Sequence, residues 1–212
     1  MGNTEIAPFT ALRITEEVIN SATHGVGASM GVVGLVFGLL TLVSSPSFAV
    51  SFTIYGVCLI TLMTVSTLYH ALSFTRARGV FLVLDYCSIF LLIAGSYTPF
   101  AVMLYKGWAQ VILLAVIWTL TAASIALNAA LPRIMARYGT GIYLLFGWLA
   151  VVFIPKLGAM PGQVVWLVVV GGLLYTAGAV LQMSKKPFTH TVWHVFVVAA
   201  ACCHYFAITK LV

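Results

Sequence analysis

Charge is what this sequence has least of. Only 7% of its 212 residues are charged, and just four are acidic, namely Glu5, Glu16, Glu17 and Asp85. A soluble domain carries about 25% charged and about 45–50% apolar residues, whereas 62% of this chain is apolar and its mean hydropathy is +1.12. Ten cations and four acids cannot cover a folded surface in water. A water-soluble fold is excluded, and the solvent must be a bilayer. Cysteine is scarce as well: Cys58, Cys87, Cys202 and Cys203 all fall inside apolar runs, where thiols behave as small apolar residues, so disulfides are not expected. The alternating segments of ~10 residues that build transmembrane barrels are also missing.

What is present is a series of long apolar runs. A helix needs about 20 residues to cross a hydrocarbon core of about 30 Å, so seven or eight crossings would use the whole chain and leave no room for a separate soluble domain. Cutting at charges and turn signals gives seven segments: His24 to Val43, Phe48 to Leu72, Val80 to Leu104, Trp108 to Leu131, Tyr138 to Ile154, Gly162 to Met183 and Phe188 to Thr209. The expected fold is all-α, a polytopic seven-transmembrane bundle over residues 21–212 preceded by a short N-terminal segment, residues 1–20.

The cations set the expected orientation, because Lys and Arg accumulate in cytoplasmic loops. Arg13, Arg76, Arg78, Arg133, Arg137, Lys185 and Lys186 lie on the N-terminal side, and Lys106, Lys156 and Lys210 on the other. The N-terminus is therefore expected in the cytoplasm. The net charge of +6 reads as this topology signal and not as a nucleic-acid surface, so no nucleic-acid partner is expected. The first twenty residues are polar, which predicts no cleavable signal peptide and makes the first span the insertion signal. Gly27, Gly31, Gly34 and Gly38 form a ridge suited to close helix packing, within the chain or in a homo-oligomer. No internal repeat is visible, which argues against an inverted-repeat transporter.

Ionisable residues inside spans are costly and point to function. Asp85 is the one acid deep in a span, joined by His24, His70, His190, His194 and His204. His24 opens the first span, His70 closes the second, Asp85 lies one and a half turns into the third, and His190 and His194 open the seventh. At 1.5 Å per residue, Asp85 and His194 are each roughly 9 Å inside their spans, so four helices deliver imidazoles and a carboxylate to one depth. His190 and His194, four apart, share a helix face and can bind one metal ion; His70 completes the three-histidine set of a catalytic zinc. Imidazole donors favour zinc over magnesium or calcium. Asp85 is either a fourth ligand or the group that orients a water or takes its proton, and Ser66 stands one turn from His70 on the same face. Glu17, Asn20 and His24, spaced by three and four, either support the ligands from behind or latch the N-terminus onto the bundle. His204 lies about 15 Å beyond His194 along the helix and is expected to be a satisfied core histidine.

Five motifs now coincide in order along the chain: Glu17-x-x-Asn20-x-x-Thr23-His24, Ser66-Thr67-Leu68-Tyr69-His70, Asp85-Tyr86-Cys87, Ala94-Gly95-Ser96-Tyr97-Thr98-Pro99-Phe100 and His190-x-x-x-His194. Together they resemble the bacterial hemolysin III group of the progestin and adipoQ receptor superfamily. The resemblance implies a seven-helix bundle of the bacterial inner membrane with zinc held by His70, His190 and His194. It also implies that Asp85 hydrogen-bonds a water on the metal and that Ser66 lines the site. The wider superfamily is similar to alkaline ceramidases, which implies hydrolysis of a lipid amide. Members with receptor roles carry longer N-terminal regions than the twenty residues here.

The leading reading is thus a zinc-dependent intramembrane hydrolase acting on a lipid amide or ester, with membrane lipids as partners and a role in lipid homeostasis. The alternatives are a homeostasis or signalling protein with structural zinc, a cytolytic protein as the group's name suggests, and an ion pathway through Asp85 and the histidines. A retinal protein is excluded because the seventh span has no lysine before Lys210. A G-protein-coupled receptor is excluded because Asp85 is followed by Tyr86, not arginine, and the third span starts from the cytoplasm.

Overall fold

A computed structural model describes residues 10–43, 45–184 and 186–212. Glu5, Ser44 and Lys185 lie outside the described residues. The fold is all-α, with helices α1 (Ala11–Thr41), α2 (Pro46–Ala71), α3 (Arg78–Leu104), α4 (Gly107–Ala130), α5 (Pro132–Trp148), α6 (Gly162–Gln182) and α7 (Thr189–Thr209). Between α5 and α6 the chain runs as a 3-10 segment, Leu149–Ala159. All but α5 are long and apolar enough to cross a membrane. The outward surface matches that solvent: Leu40, Trp108 and Leu145 are 80%, 80% and 72% exposed, an apolar face that water would not tolerate.

Two elements depart from their expected bounds. α1 starts at Ala11, thirteen residues before His24, because the Thr10 hydroxyl caps it by accepting the Arg13 N–H at 3.3 Å. The amphipathic stretch 11–23 continues the helix instead of preceding it. The fifth run, expected over Tyr138 to Ile154, begins earlier as α5 and changes to 3-10 geometry after Trp148. The cause is local: the Tyr97 hydroxyl donates to the Phe146 carbonyl at 3.0 Å and also to Gly147, and Tyr105 donates to Val152 at 3.0 Å. Carbonyls drawn toward α3 in this way favour the tighter spacing, and Pro155 has no N–H with which to restore an α-helical bond.

Helices adjacent in sequence are adjacent in space, and α1 closes the ring against α7. The glycine ridge of α1 is where that closure happens. A methyl group at Gly27 would stand 2.8 Å from the Met63 sulfur, one at Gly31 3.1 Å from Ile60, and one at Gly34 3.1 Å from the Tyr205 ring, while Gly38 faces Phe52. The ridge thus lets α1 approach α2 and α7 of its own chain. This packing brings the N-terminal part of α1, the C-terminal end of α2 and the N-terminal ends of α3 and α7 to one end of the bundle.

Candidate metal centre

That shared end gathers the histidines. His70, on the last turn of α2, is 3% exposed, and His194, on the second turn of α7, is 2% exposed. Their rings meet with centroids 4.7 Å apart, and His190 stands 5.1 Å from His70 and 4.6 Å from His194. The Nε2 atom of His190 is 3.3 Å from that of His70 and 3.1 Å from that of His194. Zinc bonds of 2.0–2.1 Å at tetrahedral angles put ligand nitrogens about 3.3 Å apart, so the spacing fits one ion. The same spacing also suits a hydrogen-bonded trio in which one proton on His190 Nε2 is shared between two acceptors. A ring nitrogen carries one proton or one lone pair in the ring plane, so the shared proton gives two weak, bent bonds, whereas a cation can be bound by all three lone pairs directly. Among the described residues these three form a group whose ligand atoms lie within 4.8 Å of one another, and it can hold a metal ion.

His70 and His190 are held by hydrogen bonds at Nδ1, whereas His194 Nδ1 has no hydrogen-bond partner among the described residues. The Glu17 carboxylate accepts the His70 Nδ1 proton at 2.6 Å, which leaves the His70 Nε2 lone pair free for a metal. His190 Nδ1 meets the Gln182 amide at 3.1 Å; when His190 Nδ1 carries the proton, the amide turns its oxygen toward it. His24 lies flat on His194, with centroids 3.7 Å apart and ring planes 18° apart. Neither His24 nitrogen has a hydrogen-bond partner among the described residues. Asn20 accepts a bond from Thr191 at 2.7 Å, tying α1 to α7 between the two histidines of α7. Glu17, Asn20 and His24 therefore each touch a ligand or its neighbour.

Asp85 and Ser66 are both buried, and the Asp85 carboxylate interacts with the Ser66 hydroxyl and the His70 ring and lies near Tyr69, Tyr86 and Tyr143. Asp85 is not part of the three-histidine group. Behind it, buried Asn128 of α4 donates to the Val83 carbonyl and the Cys87 sulfur, both at 3.1 Å, and so braces the turn of α3 that carries Asp85. His204 stays apart, wedged against Gly171 and edge-on to Tyr175. It is less satisfied than the sequence suggests, since its Nε2 has no hydrogen-bond partner among the described residues.

Three contacts escape sequence reasoning. Gln182 closes α6 at the end where His190 opens α7, a lone amide whose partner depends on how the helices are rotated. Glu16 points about 100° round the helix from Glu17, and its carboxylate accepts the Phe188 N–H that leads into α7. Phe188 holds a left-handed φ of 60° there. Thr191 is one of many threonines in apolar helices, and only the fold pairs it with Asn20.

An all-α fold of seven helices among the described residues, six of them long and apolar enough to cross a membrane, with a three-histidine cluster at one end of the bundle, defines a polytopic membrane protein with a candidate metal site. Residues 12–205 match the family described as Haemolysin-III related, and the chain belongs to that family. It is 35% identical to Hemolysin-3 of Bacillus cereus over 92% of this chain and 91% of the relative, and 33% identical to the Hemolysin-3 homolog of Bacillus subtilis (strain 168) over 92% and 93%. The Adiponectin receptor protein of Drosophila melanogaster is a more distant relative, 28% identical over 94% of this chain and 51% of its own length.

Proposed function

We propose that the protein is a zinc-dependent hydrolase of a lipid amide or ester in the bacterial inner membrane, with its three-histidine end facing the cytoplasm. The observation that carries this reading is the placement of His190 Nε2 3.3 Å from His70 Nε2 and 3.1 Å from His194 Nε2, in a group that can hold a metal ion, with the buried Asp85 carboxylate beside His70. The seven Lys and Arg residues on that side support the orientation. The 3-10 continuation supports a seventh crossing, because 17 α-helical and 11 3-10 residues together exceed the ~30 Å required.

Zinc bound by His70, His190 and His194 would polarise the lipid carbonyl and lower the pKa of water toward about 7. Asp85 takes the proton from the attacking water and passes it to the departing nitrogen or oxygen, leaving a fatty acid and an amine or alcohol. Ser66 holds the Asp85 carboxylate in place, and Glu17 keeps the proton on His70 Nδ1. The test is metal analysis of the purified protein together with turnover of lipid amides and esters by wild type and Asp85→Asn. About one zinc per chain in both proteins and a loss of at least ~100-fold in turnover for the variant is the expected result. A metal-free protein, or an Asp85→Asn variant as active as wild type, sinks the proposal.

A second reading, a structural metal in a homeostasis or signalling protein, is favoured by how closed the site is, with His70 and His194 almost fully buried. It predicts bound zinc without lipid turnover.

A further inference from the structure

The mouth of the histidine site carries two guanidinium groups that the hydrolase reading leaves unused. Arg78, at the start of α3, lies 5.8 Å over the Tyr69 ring and donates from Nη2 to the Tyr69 hydroxyl at 3.4 Å. Tyr69 meets His70 edge-on with centroids 4.8 Å apart, so one aromatic ring separates Arg78 from a candidate ligand. Arg13 reaches the same place from α1, its Nε 3.9 Å from Glu17 Oε1 and its guanidinium 5.7 Å over Phe74. The Glu17 carboxylate between them is already engaged by His70. Arg78 itself has no carboxylate within ion-pair distance among the described residues.

Topology alone explains an exposed cation such as Arg76. It does not explain Arg78, whose Nε is sealed from solvent with no hydrogen-bond partner among the described residues, a costly state for a charged donor. Ser73 shares the condition: its main-chain N–H bonds the His70 carbonyl at 3.2 Å, the residue is 3% exposed, and its hydroxyl has no partner. A guanidinium only donates, so the partner it lacks is an acceptor. Beside uncompensated positive charge, that acceptor is an oxyanion, and the guanidinium geometry suits phosphate. At the depth where lipid headgroups meet the bundle, the phosphate available is that of a phospholipid.

We propose that Arg78, with Arg13 and Ser73 at the same end of the bundle, binds the headgroup phosphate of a glycerophospholipid and so selects a glycerophospholipid as the lipid presented to the three histidines. This rests on the reading of the site as one that acts on lipids. The test is native mass spectrometry of the purified, zinc-loaded full chain titrated with dioleoylphosphatidylglycerol, with dioleoylglycerol as the same lipid without phosphate, and with inorganic phosphate. Wild type is expected to prefer the phospholipid over dioleoylglycerol by at least about tenfold, the loss typical of a charged hydrogen-bond partner. Arg78→Gln should abolish that preference, Arg78→Lys should keep only part of it, and Arg76→Gln should leave it within twofold.

Equal effects of Arg76→Gln and Arg78→Gln would reduce the observation to general surface charge and overturn the proposal. So would equal binding of the two lipids, or inorganic phosphate binding as tightly as the phospholipid, which would identify a free anion as the ligand. Thermal unfolding shows whether Arg78→Gln folds, and Arg78→Lys decides the matter if it does not. Zinc content measured on the same samples separates the two readings. Lost lipid preference with zinc retained counts against this proposal alone, whereas missing zinc counts against the hydrolase.

Discussion

Replacing Glu17 by glutamine removes one negative charge from the 2.6 Å contact with His70 Nδ1 while keeping the size of the side chain. The contact fixes the proton on Nδ1 and strengthens the donor at Nε2, and loss of such a partner typically weakens metal binding about 10–100-fold. At 1.4 kcal/mol per decade this is about 1.4–2.8 kcal/mol. The upper half of the range is expected, because Arg13, 3.9 Å from the other Glu17 oxygen, would then face the metal end without a counter-charge. Competition with a chromophoric zinc chelator in detergent measures the affinity, and the visible absorption of a cobalt-substituted sample reports whether the ligand geometry survives. Arg76→Gln, an exposed charge change on the same side, is the control. A Glu17→Gln affinity within twofold of wild type, with His190→Ala unable to bind, would refute the reasoning and leave Glu17 as a latch for α1.

Two further outcomes test the fold. Gly38→Ala places a methyl group against the fully buried Phe52 ring, whereas Gly79 has open space around it; the first should cost about 1–3 kcal/mol of stability and lower Tm, and Gly79→Ala should leave Tm nearly unchanged. Equal Tm values for the two variants would mean that α1 does not pack on α2 as described. Tyr97→Phe removes the hydroxyl that holds the Phe146 and Gly147 carbonyls. It should cost about 1 kcal/mol and speed amide hydrogen exchange over 149–159, and unchanged exchange there would show that this hydroxyl does not hold the 3-10 segment.

The sequence made the spans legible because the few charges fall almost entirely between them, leaving long runs that only a bilayer can hold. It misplaced the start of α1, where the residues from Ala11 to Thr23 are polar enough to look like a tail and yet continue the helix from the Thr10 cap. It also could not foresee the change of geometry at Leu149, which depends on hydroxyls donated by α3. The site was legible where spacing along one helix sufficed: His190 with His194, Glu17 with Asn20 and His24, Ser66 with His70. Contacts between helices were not, since they depend on the rotation of each helix about its axis. Gln182 against His190, Glu16 against Phe188 and Arg78 over Tyr69 all belong to that class.

The histidine cluster also bears on how the ring of helices stays closed. All four cysteines are free, so no covalent bond joins distant parts of the chain. His70 and His190 are 120 positions apart, on two helices that both touch α1. A cation held between them would act as a rivet through the seam where α7 meets α1. Such a cross-link would restrict the open ensemble as a long-loop disulfide does, yet it would come undone with a chelator or with acid, without any reductant.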